Sequence, residues 1–137
     1  MTYDTKIAIV IKDSLLVWQK LNVASFLASS VAIQFPETHG QSFVNASQSV
    51  YLPFIKQPIL IYKAENGDQM KRAFNRAKER ELAIGIYTEP LFATKGEDEN
   101  LAEIAKSTDE EQNLVGIVVY GDGKKVSKAL DGLKFHA

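Results

Sequence analysis

The sequence predicts an α/β protein, a three-layer α/β/α sandwich around a mixed, mostly parallel sheet of about four strands. Two observations carry this. Short β-branched runs alternate with helix-period segments along the chain, as in a sheet covered by helices. The first and last runs, Ile7-Ala8-Ile9-Val10-Ile11 and Gly116-Ile117-Val118-Val119-Tyr120, are apolar at consecutive positions, so both faces of each strand need cover.

The elements follow in order. Lys6 to Lys12 reads as a central strand that Asp13-Ser14 ends. Asn22 is placed to cap a helix over Val23 to Gln34. In that helix Ala24, Ala28 and Ala32 recur at four-residue spacing beside Ser25 and Ser29, a small-residue ridge suited to close packing on a sheet. Phe35-Pro36 stops it. Residues 36–49 read as a polar loop, and Val50 to Phe54 as a short edge strand interrupted by a proline. Pro58 to Lys63 is a second apolar strand. Asn66-Gly67-Asp68 turns and caps a helix over Gln69 to Arg80, whose apolar stripe is Met70, Ala73, Phe74 and Ala77. Leu82 to Tyr87 is a third strand. Leu101 to Lys106 is a short helix within an acidic segment, and Asn113 to Tyr120 is the fourth strand. Gly121-Asp122-Gly123 leads into a last helix, Lys124 to Leu130, and Leu133 to Phe135 closes the chain. No repeat or linker divides it, so residues 1–137 are expected to form a single domain.

Composition narrows the function classes. Of 137 residues 45% are hydrophobic and 24% charged, enough for a core without staples. There is no cysteine, which excludes disulfides, thiolate zinc sites and a cysteine nucleophile. The net charge of −1 weighs against nucleic acid as the main partner, since phosphate neutralisation drives such binding. The polar stretch Met1 to Lys6 does not read as a signal peptide. No apolar run approaches the roughly 18 residues of a membrane span. The expectation is a cytoplasmic protein with no membrane partner.

Three segments carry a resemblance. The first strand ends on Asp13, with Lys20 seven residues on; Pro58-Ile59-Leu60-Ile61-Tyr62-Lys63 precedes the Met70 to Arg80 helix; and the run from Gly116 to Phe135 passes from strand through a glycine turn and a helix to Gly132-Leu133-Lys134-Phe135. Together they resemble the peptidyl-tRNA hydrolase type 2 superfamily, nearest to its uncharacterised bacterial branch of unknown function. The resemblance implies that fold, a homodimer, and a cleft for ester or amide hydrolysis on peptidyl-tRNA or smaller substrates. It carries over at Asp13 and Lys20. Ala24 and Leu27 stand where the hydrolases have Gln and His. Thr88-Glu89 stands roughly where they have an Asp-Ala-Gly turn. The catalytic set is therefore degenerate, and binding of a small anionic ligand is the favoured expectation, with tRNA less favoured.

The candidate catalytic residues are Asp13, Lys20, Thr88 and Glu89. Both acids follow strand carboxyl ends, where open α/β sheets bind ligands. If the first and third strands were parallel neighbours, the four would share one cleft able to move protons. A structural ion pair is the plainer alternative. Lys20, Asn22 and Trp18 are the candidate ligand contacts: Lys20 as an anion anchor near a helix start, Asn22 as a cap or contact, and Trp18 as a pocket or dimer surface. Trp18 and the loop around Phe43 both require cover, which also points to a homodimer. No cofactor is implied. His39 and His136 lack metal-ligand neighbours, so no metal site is expected; His39 is expected as an exposed loop histidine. Gly121-Asp122-Gly123-Lys124-Lys125 lacks P-loop spacing. Arg72, Arg76 and Arg80 are expected as a solvated face, with Asp68 pairing to Arg72, and Glu97 to Glu111 as a mobile acidic flank.

Overall fold

A computed structural model describes residues 3–137. Met1 and Thr2, part of the polar N-terminal stretch, lie outside the described residues. Strand β1 (Thr5–Lys12) is followed by helix α1 (Val17–Gln34) and a 3-10 turn, Pro36–Thr38. A hairpin of β2 (Phe43–Val44) and β3 (Val50–Tyr51) comes next, then β4 (Ile59–Ala64) and α2 (Gly67–Glu79). Strand β5 (Ala83–Thr88), a 3-10 turn over Glu89–Ala93 and α3 (Glu97–Ala105) lead to β6 (Leu114–Asp122), α4 (Gly123–Ala129) and β7 (Lys134–Phe135).

The main sheet has five strands in the order β5-β6-β1-β4-β7. It is mixed, but one pair alone is parallel, β1 with β4; the other three are antiparallel. The expected mostly parallel four-stranded sheet is corrected on both counts. After β5 the chain does not cross over: α3 and its flanks bring it back to the end it left, so Leu114 pairs with Thr88 and β6 runs the other way.

Helices cover both faces. On one, Val23, Leu27 and Val31 of α1 meet Ile7, Ile9, Ile11, Val118 and Tyr120. On the other, Met70, Phe74 and Ala77 of α2 and Val126 and Ala129 of α4 meet Ala8, Val10, Ile117 and Val119. Alternate residues of β1 thus serve two cores, as its unbroken apolar run requires.

Helix α1 begins at Val17, so Asn22 lies inside it and does not cap it. Gln19 Oε1 accepts from Leu16 N at 3.0 Å, half of a capping box that an apolar N-cap does not announce. The buried ridge is Val23-Leu27-Val31, with Ala24, Ala28 and Ala32 half-buried beside it. Room for close approach comes from the sheet, where a Cβ on Gly116 would collide with Val23 Cγ1.

Helix α2 starts as expected, with Asn66 Oδ1 accepting from Gln69 N at 2.9 Å. The arginine row is largely tied down: Arg76 donates to Asp131 O at 3.0 Å and Arg80 to Arg76 O at 3.1 Å. Among the described residues Asp68 and Arg72 form no ion pair. The acidic flank is structured rather than loose: Lys78 pairs with Asp109, and Lys71 donates to Glu110 O. No helix among the described residues is long and apolar enough to cross a membrane.

Candidate functional site

Strands β1 and β4 run side by side and end together, with Asp13 N donating to Ala64 O at 2.9 Å. A short turn reverses the chain into α1, whose fourth residue is Lys20. Its ammonium returns to the strand end and donates to Asp13 Oδ1 at 3.2 Å. A third group completes the cluster: Lys20 Nζ lies 3.1 Å from His136 Nε2. Lysine can only donate, so Nε2 accepts, and the ring proton on Nδ1 goes to Ala137 O at 2.9 Å. Two of the three ammonium donors are thereby used, and among the described residues the third has no protein partner.

The last strand brings His136 there. β7 pairs antiparallel to β4, with Lys134 opposite Lys63 and His136 N donating to Ile61 O at 3.0 Å. Ile11, opposite Lys63 across β1, packs in the core beneath α1, so Lys63, Lys134 and His136 lie on that same face. Helix α1 lies chiefly over β1, β6 and β5. An open strip remains beside it, floored by Ile61 and edged by Lys20, Lys63, Lys134 and His136. The acids present are Asp13 and Glu65, the latter 3.4 Å from Lys63 Nζ.

The hydrogen bond from Lys20 holds the Asp13 carboxyl below its usual range against an opposing effect of burial, helped by the positive charges of Lys20 and Lys63. Asp13 is therefore a carboxylate at neutral pH, the counter-ion of Lys20.

Thr88 and Glu89 do not join this cluster. Strand β6 separates β5 from β1, so they sit two strands away along the same sheet edge. Thr88 is buried, and Glu89 is exposed with its N–H donating to Asn113 O at 3.0 Å. Trp18 and Asn22 belong to a second place. They are one helical turn apart, whereas Lys20 between them faces elsewhere. With Phe26, Tyr87 and Phe92 they line a groove of about 680 Å³ between α1, β5 and the start of α3. Trp18 packs edge-on against Phe92 at 5.9 Å, and Tyr87 lies 5.1 Å from Phe92.

The model of the family described as protein of unknown function, DUF2000, matches residues 5–137. The chain belongs to the DUF2000 family. A solved structure of a protein of unknown function from Agrobacterium tumefaciens strain C58 is similar at 33% identity and a TM-score of 0.95, covering 99% of this chain and 100% of that one. No curated protein matches.

In this DUF2000 chain the residues missed by sequence reasoning are His136, Lys63 and Lys134. All three come from the β4/β7 pairing. Alternation along residues 134–136 puts Lys134 and His136 on one face, but which face depends on a register no local motif encodes. His39 takes a structural role, its Nε2 donating to Ala32 O at 2.5 Å at the end of α1, where a carbonyl lacks a helical partner. Among the described residues no group of three His, Asp or Glu side chains gathers as a metal site would require.

Proposed function

We propose that this DUF2000 domain binds a small anion, a carboxylate or phosphate group, on the open strip between α1 and β7. The observation that carries the proposal is the Lys20 ammonium, fixed by Asp13 and His136 with one donor left over. Its surroundings support it. Lys63, already paired with Glu65, and Lys134 stand directly opposite in register, which keeps this edge of the strip positive. The strip lies at the carboxyl ends of the parallel pair, the usual side for ligands in α/β sheets. The likeness to peptidyl-tRNA hydrolases at Asp13 and Lys20 fits an inherited site. Ala24 and Leu27, in place of the hydrolase Gln and His, fit a site that holds and does not cleave.

Amide NMR titration of the protein with inorganic phosphate and with acetate tests this. Saturable shifts confined to the surroundings of Lys20, Lys63 and His136 are expected, and these disappear in Lys20→Ala. Absence of saturable shifts at millimolar anion sinks the proposal.

One observation favours a second function. A carboxylate, an ammonium and an imidazole within hydrogen-bond reach form a set suited to proton transfer. An ester or amide hydrolase would release product from peptidyl-tRNA, aminoacyl-tRNA or a simple ester panel, and Lys20→Ala would abolish it. No release above buffer removes this alternative.

A further inference from the structure

The two edges of the main sheet are built differently. β7 is two residues long and carries Lys134, a short charged edge of the kind that resists further pairing. β5, at the other edge, is six residues long, Ala-Ile-Gly-Ile-Tyr-Thr, with neither charge nor proline. Its register shift falls at the far end, between Tyr87 and Thr88. β5 pairs with β6 on one side, and among the described residues no other backbone group bonds to residues 83–86. Alternate residues there turn an N–H and a C=O outward. All four are half-buried, as an uncovered edge leaves them.

Two hollows lie along β5 beside α1. One is the groove of about 680 Å³ that Trp18, Phe26 and Phe92 line, and Ile86 borders it. The other, of about 410 Å³, lies between Ser30, Gln34 and Phe35 on one side and Ile84 on the other. Ile84 and Ile86 pack against the core on the α2 face of the sheet, so each hollow reaches round to the outer edge of the strand. The two isoleucines are two positions apart, about 7 Å. That is the spacing of same-face side chains on a further strand laid beside β5.

We infer that this edge takes up an extended peptide of a partner protein as a sixth strand, with apolar side chains at alternate positions in the two hollows and a basic residue beside Glu97. The unpaired row selects the occupant. A helix bonds its own backbone and would leave the row unmet. A small ligand would meet only part of it. An added strand meets the whole row, and its alternate side chains supply the specificity. Charge sets the rest. Between Lys20 and Glu37 helix α1 carries no charged residue, so that wall is neutral. The groove ends at the first turn of α3, where Glu97, Asp98 and Glu99 stand against Lys95 alone. The site lies at the opposite edge of the sheet from the anion strip and is independent of it.

Trp18 is the sole tryptophan and lines the groove, so its fluorescence reports on occupancy. The full chain is titrated with the capped heptapeptide Lys-Thr-Phe-Thr-Ile-Thr-Val. Two further versions are N-methylated at alternate residues, one set for each edge of the peptide strand. A saturable change in Trp18 fluorescence is expected, with several-fold slower hydrogen exchange at the outward amides of residues 83–86. One N-methylated version is expected to bind like the parent and the other not at all, because only one edge of the peptide pairs. No saturable change, or a change without slowed exchange at β5, overturns the inference. So does equal behaviour of the two N-methylated versions. Slowed exchange that grows with protein concentration alone puts a second copy on the edge and also overturns it.

Discussion

Lys20 Nζ lies 3.1 Å from His136 Nε2 across 116 positions of sequence, so the first helix and the last strand meet at one ammonium group. The contact joins the end of β7 to the Asp13–Lys20 pair at the end of β1.

Replacing Lys20 by alanine separates anchoring from folding. The ammonium is not part of either core, so the variant keeps its fold and loses only the stability that the pair with Asp13 contributes. Phosphate-induced shifts around Lys63 and His136 are expected to vanish. Retained shifts would place the anion elsewhere.

Asp13→Asn distinguishes the two functions. It removes a negative charge 3.2 Å from the ammonium. A binding site should then hold phosphate several-fold more tightly, as read by calorimetry. A hydrolase that uses Asp13 in proton transfer should lose turnover.

Acid dependence follows from the same pair. The folded-state pKa of Asp13 lies below its ordinary 3.8, chiefly through the Lys20 hydrogen bond. The folded protein therefore holds this proton less readily than the unfolded chain. The contribution is complete above the ordinary value and is lost as pH falls through the lower folded value. Urea unfolding from about pH 5 to about pH 2, within that carboxylate range, should show a steeper loss in the wild type than in Asp13→Asn. Equal slopes would mean that the pair contributes nothing.

Gly116→Ala tests the seating of α1. The new methyl group runs into Val23 Cγ1 and comes within 3.2 Å of Leu27 Cδ1. Overpacking of this kind costs about 1–3 kcal/mol, read as a lower melting temperature. A stability equal to wild type would show that α1 shifts freely on the sheet.

Asn66→Ala removes the cap of α2, since its side chain accepts from Gln69 N. A loss of about 1 kcal/mol is expected in chemical denaturation. No loss would leave helix α2 anchored by packing alone.

Elements with strong local periodicity were legible. The capped stripe of α2 and the doubly apolar runs of β1 and β6 stand where their residues place them, because each is dictated by neighbours a few positions away. The start of α1 was misplaced because Leu16 is not a capping residue by type. The hairpin was half seen: Val50–Tyr51 pairs with Phe43–Val44, which had been assigned to a polar loop.

For the site, Asp13 and Lys20 were nameable through the resemblance, and seven residues of turn and helix bring them together. The rest is a property of the sheet. Its order placed β6 between Asp13 and Thr88, and the β4/β7 register set Lys63, Lys134 and His136 on the strip beside α1. Sequence alone determined the class of fold and named two residues of the site, because periodicity and short motifs act over a few residues. Strand order and register were decided only by the tertiary structure, because they follow from the joint packing of two cores on opposite faces of the sheet.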